Sequence, residues 1–183
     1  MMKTEIDTLL KQHDIDRKLL CYGFLVFKQY AIYLAFVLPF VIISDMTVQF
    51  MFFLFIFVPI RRYLGGYHFD KMYLCTLFSI IFTLLILYVS VKIKTDSILI
   101  CNIICLSCIC ILVSIGPVDH KNKRITEKDF AHYRRKIILT LVSEYMLYNF
   151  LFFIKLNTFC NLILLIFLFC VLNILLVKIQ GKY

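Results

Sequence analysis

A chain of 183 residues that is 62% apolar, with a mean hydropathy of +0.91, lies outside the range of water-soluble domains. Its charged residues, 17% of the total, fall between long apolar runs that must satisfy their own backbone hydrogen bonds in hydrocarbon, and runs such as 161–177 lack the alternation of barrel strands. The net charge of +9 is explained without a nucleic-acid partner, because basic loops of a membrane protein meet anionic lipid headgroups.

The expected fold is therefore all-α and polytopic, with about six transmembrane helices. The opening segment, rich in Lys, Asp and Glu, is too charged for a signal peptide and is expected to remain in the mature protein. Within it Ile6, Leu9, Leu10, Ile15, Leu19 and Leu20 recur at roughly helical spacing. Residues 1–24 read as an amphipathic helix lying on the membrane surface, or as a short cytosolic cap. Residues 25–183 form the membrane domain. Its spans are expected at about 25–43, 47–60, 72–91, 97–115, 137–154 and 157–177. A crossing helix needs roughly 20 residues for about 30 Å of hydrocarbon. The second run is short for this and ends in Pro59, so it either tilts, draws on flanking residues, or forms a re-entrant hairpin around Ser44 and Asp45.

With these spans, seventeen of the twenty Lys and Arg residues fall on the side of the N-terminus, and only Lys92, Lys94 and Lys155 on the other. The positive-inside rule then places both termini in the cytoplasm.

Between the second and third spans runs Arg61-Arg62-Tyr63-Leu64-Gly65-Gly66-Tyr67-His68-Phe69-Asp70-Lys71, and the third span carries Cys75. Cysteine attacks as a thiolate, and an imidazole can take its proton and later return one to a leaving amine. His68 and Cys75 are thus the minimum set for thiol-based acyl transfer. In one straight helix, positions seven apart share a face but lie about 10.5 Å apart along the axis. The pair therefore requires His68 to precede the helix on a loop that folds back. Gly65-Gly66 supplies a flexible turn, Asp70 a candidate N-cap, and the Cβ of Cys75 leans toward the helix start. From residue types alone the alternatives stay open: a plain Gly-Gly loop, Cys75 as a small apolar filler, His68 as an interfacial side chain, and Arg61 and Arg62 as helix-end anchors.

The pattern R-x-x-x-G-G-x-H, with a Cys seven residues after the His, resembles the accessory gene regulator protein B family, membrane cysteine endopeptidases of Gram-positive quorum sensing. Tyr22-Gly23 at the entry to the first span matches as well. So does Gly116-Pro117-Val118-Asp119 leading into Asn122-Lys123-Arg124 after the fourth, so that the resemblance spans most of the chain. It implies that His68 and Cys75 are the catalytic pair and that Arg61 and Gly66, with Gly65 beside them, support the motif. One departure is Phe69, where members often have a small residue, which bears on the shape of the pocket. The implied activity is a cut on the C-terminal side of a precursor signalling peptide. Its N-terminal part is left as a thioester on the cysteine, and an internal thiol or hydroxyl then closes a thiolactone or lactone. Exchanging one thioester for another changes bond energy little, which suits a cysteine nucleophile. A homodimer at the cell membrane is implied too, with the active site at the cytosolic face and no cofactor.

Other constellations are weaker. Cys101, Cys105 and Cys108 share one helical face, as soft-metal ligands would, but no His or carboxylate joins them in the span, and core packing is the expected role. Glu144, with Asn149, stands inside the fifth span, where a carboxylate holds a helix interface, lines a peptide path, or pairs with Arg135 or Lys136. The basic loop 120–136 anchors to lipid by default. The acidic C-terminal segment expected of a precursor makes Lys121, Lys123, Arg124, Arg134 and Arg135 candidate docking residues. A non-enzymatic transporter subunit or peptide-export component is the rival reading.

Overall fold

The computed structural model describes residues 17–67, 72–93, 97–118 and 127–179. Its elements are six helices: α1 (Arg17–Ile43), α2 (Thr47–Leu64), α3 (Met72–Lys92), α4 (Ile98–Ile115), α5 (Glu127–Phe153) and α6 (Asn157–Ile179). All six contain a window long and apolar enough to cross a membrane, and there is no strand among the described residues. The expected surface helix in residues 1–24 lies mostly outside the described residues.

Lipid tails are as apolar as leucine, so hydrophobic burial cannot drive these helices together. Close packing and interhelical hydrogen bonds must do it. Accordingly α6 forms the centre, with 56% of its apolar window buried against 11% for α1. It packs on α2, α3, α4 and α5, whereas α1 lies mainly along α3. Phe169 of α6 joins α2 and α3 through Phe57 and Phe82, at ring distances of 5.8 and 4.5 Å. Two polar rungs fix α1 to α3: Gln29 Nε2 donates to Thr76 Oγ1 at 3.2 Å, and the hydroxyls of Tyr33 and Thr83 meet at 2.9 Å.

Tight turns make the α1–α2 and α5–α6 hairpins. In each, a residue in left-handed conformation follows the helix, Asp45 (φ 53°) or Lys155 (φ 61°). The next N–H then bonds five residues back, Met46 to Val41 and Leu156 to Leu151, both at 2.9–3.0 Å. This is the Schellman arrangement, made here without glycine. The α2–α3 connection and the chain leaving α4 therefore lie at the other end of the bundle, together with the start of α1 and the end of α6.

Three helices differ from expectation. α1 begins at Arg17, eight residues before the span expected from 25, and runs on as one continuous helix. α2 does not stop at Pro59 but continues to Leu64 with Pro59 inside it. The proline loses one backbone bond, which a helix packed among neighbours tolerates. Its 18 residues, Arg61 and Arg62 in the last turn among them, span about 27 Å, close to the full hydrocarbon thickness. α5 begins at Glu127, ten residues before the apolar span expected from 137, so the second half of the expected basic loop is helix. Nothing between Glu127 and Lys136 is Gly or Pro, and most of it is good helix former. At 27 residues, α1 and α5 are each about 40 Å long, and the surplus of both projects at the end that holds the Gly65-Gly66 turn.

Candidate functional site

The last turn of α2 builds the site. Gly65 ends the helix at φ 75°, its N–H returning to the Arg61 carbonyl at 3.2 Å. Gly66 follows at φ 142°. With ψ near −145°, Gly65 occupies a region essentially confined to glycine. Each position is also closed to a side chain by its surroundings: a Cβ on Gly65 would stand 2.8 Å from the Val118 carbonyl oxygen, and one on Gly66 would overlap the Arg61 guanidinium.

Arg61 curls forward over its own helix end. Its Nη1 donates to the Gly65 carbonyl at 3.0 Å and to Asn173 Oδ1 at 3.1 Å, and its Nη2 donates to the Tyr67 carbonyl at 2.9 Å. Asn173, buried in α6, also accepts the Tyr67 N–H on the same Oδ1 at 2.9 Å. Both backbone groups of Tyr67 are thus held, one residue before His68. From the other side, Val118 donates its N–H to the Leu64 carbonyl at 3.0 Å. Gly116, Pro117 and Val118 are buried there, with Gly116 at φ 70° closing α4. The two loops that carry the motif residues therefore pack together.

Cys75 lies three residues into α3, about 4.5 Å along its axis, and is half-buried. Its carbonyl accepts from Ser79 Oγ at 2.9 Å, and the adjacent Thr76 carries the rung to Gln29. The Arg61 guanidinium is within electrostatic range of the Cys75 and Cys170 thiols and of Tyr30. His68 and the candidate cap Asp70 lie outside the described residues, as do Lys121, Lys123 and Arg124. Arg134 and Arg135 are exposed on the projecting turns of α5.

At the opposite end, Asn161 Nδ2 donates to the carbonyls of Ser90 and Ile93 at 3.1 and 2.8 Å, closing the end of α3. One helix, α6, thus holds α3 at its far end and the chain entering α3 at its near end. Sequence reasoning missed both asparagines. The available signal was an isolated amide in an otherwise apolar span, where an unpaired polar group is costly.

Cys101, Cys105 and Cys108 are buried on the core face of α4, and among the described residues no three His, Cys, Asp or Glu side chains are placed to hold a metal ion. Glu144 is buried with Oε2 lacking a hydrogen-bond partner, while Arg135 and Lys136 are exposed, so of the three alternatives the pairing two turns back is not made. Asn149 turns back to the Tyr145 carbonyl of its own helix at 2.8 Å.

Neither the characterised proteins nor the solved structures gave a match to this chain. The family model described as accessory gene regulator B matches residues 3–174. That match covers nearly the whole chain, including the Arg61 turn, Cys75, the 116–118 turn and Asn173, and the chain belongs to the accessory gene regulator B family.

Proposed function

We propose that this protein is a membrane-embedded cysteine endopeptidase that processes a quorum-sensing precursor peptide. Family membership supports a role in processing that peptide. The observation that carries the thiol mechanism is the clamp of Arg61 and Asn173 on Tyr67, which fixes the chain immediately before His68, next to the helix that presents Cys75.

In this reading Cys75 attacks the scissile carbonyl as His68 takes the thiol proton. The tetrahedral adduct collapses, His68 returns the proton to the leaving amine, and the C-terminal fragment departs. The N-terminal part remains as a thioester on Cys75. A thiol or hydroxyl within it then attacks that thioester, its proton passing through His68 to the Cys75 sulfur, and the ring leaves as a thiolactone or lactone. The half-buried setting of Cys75 limits water, which favours cyclisation over hydrolysis. Both termini and the site face the cytoplasm of the cell membrane, where a newly made peptide arrives, and the enzyme works as a homodimer. The basic residues Lys121, Lys123, Arg124, Arg134 and Arg135 attract the acidic end of the precursor.

The test is co-expression in membranes with a short neighbouring reading frame of about 40–50 codons that encodes an amphipathic start and an acidic tail. Cys75→Ala and His68→Ala should each abolish cleavage without loss of the protein from the membrane, and a peptide-sized mass adduct should be trappable on Cys75. Cleavage retained in either variant overturns the mechanism and favours a transporter or export component.

A further inference from the structure

We infer that Asn173 is a positioning residue for this chemistry: with Arg61 it fixes the Tyr67 backbone and so sets where His68 stands relative to Cys75. The inference rests on the proposed thiol mechanism. Its structural basis is a single buried amide oxygen shared by two donors, the Arg61 guanidinium at 3.1 Å and the Tyr67 N–H at 2.9 Å. Neither donor can act as an acceptor, so the amide atom that faces them is the oxygen whichever way the group is drawn.

The oxygen lies 112 residues from Arg61 and 106 from Tyr67 in sequence, and it joins the last turns of α6 to the end of α2. A guanidinium on its own could hold the Gly65 and Tyr67 carbonyls and still swing about its long stem. The fixed acceptor on α6 removes that freedom. Gly66 belongs to the same device, since any side chain there would occupy the space of the guanidinium. The chain is thereby held at both backbone groups of Tyr67, one residue before His68. A displacement of about 1 Å in a reacting group is enough to cost on the order of a hundredfold in rate.

The chemical requirement is an acceptor at this position, not an amide, which separates positioning from mere filling of space. Asn173→Leu keeps the branched shape and takes the shared acceptor from both donors. Asn173→Asp keeps the acceptor.

The experiment uses the full chain in membranes, with two readouts. The first is cleavage of the precursor peptide added over a range of concentrations to membranes that carry the enzyme. Asn173→Leu should lower kcat about a hundredfold with KM within about threefold, and Asn173→Asp should stay within about threefold of the parent. The second needs no peptide: the rate of Cys75 alkylation by iodoacetamide, followed across pH by peptide mass mapping. The Asn173→Leu profile should coincide with that of His68→Ala, and the Asn173→Asp profile with the parent. The Arg61→Ala/Asn173→Leu double variant should be no worse than the poorer single one, because the two act as a unit.

A parental kcat and alkylation profile in Asn173→Leu overturns the inference, as does an Asn173→Asp variant as poor as the leucine, or an additive double variant. Should the leucine variant fail to accumulate, Asn173→Ala is measured by the same two readouts. Loss of cleavage in Cys75→Ala and His68→Ala beside full activity in Asn173→Leu would remove this inference alone. Retained cleavage in the first two would remove the reading beneath it.

Discussion

The backbone N–H of Val118 donates to the Leu64 carbonyl at 3.0 Å, so the turn after α4 closes the open end of α2. That contact leaves no room at Gly65, where a Cβ would approach the Val118 oxygen to 2.8 Å at a φ of 75°. Gly65→Ala should destabilise the bundle by about 2 kcal/mol, from the left-handed backbone and the displaced turn together. Gly66→Ala acts differently, because its Cβ meets a side chain, the Arg61 guanidinium. Its main effect should fall on precursor cleavage, about a hundredfold, with a smaller change in Tm than Gly65→Ala. Thermal unfolding in detergent beside a cleavage assay separates the two, and parental cleavage in Gly66→Ala would contradict the clamp.

Asn161 offers the matching comparison at the other end of α6. It satisfies the Ser90 and Ile93 carbonyls, groups that no helical partner can reach at the end of α3. Asn161→Leu should cost about 1–2 kcal/mol of stability. Activity per folded molecule should change less than about twofold, because Ser90 lies fifteen residues, about 22 Å, beyond Cys75. A selective loss of kcat here would show that any polar contact of α6 affects catalysis, and the assignment of Asn173 would lose its force.

Much of the architecture is written in the sequence because lipid leaves few choices. Apolar runs bounded by charge must be helices, and six of them are. The ends are less legible. Pro59 reads as a stop, yet α2 runs through it to Leu64. The charged stretch 127–136 reads as loop, yet it forms the first turns of α5, since charge sets where a helix leaves the membrane and not where it unwinds. At the site, Gly65-Gly66 is recognisable as a turn, but the reason for the second glycine, a guanidinium folded back from Arg61, depends on a partner 112 residues away. An isolated amide in an apolar span marks Asn173 as needing a partner but not which one. Its pairing follows only from which helices pack together.

The projecting turns of α5 bear Arg134 and Arg135, exposed at the end that holds the clamp. If they draw in an acidic peptide segment, Arg134→Gln/Arg135→Gln should raise KM for the precursor about three- to tenfold at low salt and leave kcat unchanged. The difference should fade as salt shortens the range of the charges to about 3 Å near 1 M. Rim charges of this kind act on encounter more than on the bound state. A KM equal to the parent's across the salt series would assign these residues to lipid headgroups instead.

The two hairpin turns at the far end are the clearest places to gain stability. Asp45 and Lys155 are exposed and hold φ values of 53° and 61°, in a position where the Schellman turn ordinarily takes glycine. Left-handed backbone costs a residue with a Cβ about 1–2 kcal/mol, and the greater freedom of glycine in the unfolded chain returns part of that. Asp45→Gly and Lys155→Gly should each gain about 0.5 kcal/mol, or about 1–2 °C in Tm for a chain of this size. Charge could produce a similar shift, so Lys155→Ala is the control. It removes the same ammonium and keeps the Cβ, and it should bring no gain if the effect is conformational. Lys155→Gly also removes one of three basic residues from the far side, which widens the charge asymmetry and leaves the topology expected from it unchanged. A rise in Tm with alanine equal to that with glycine would place the effect in the charge and not in the turn.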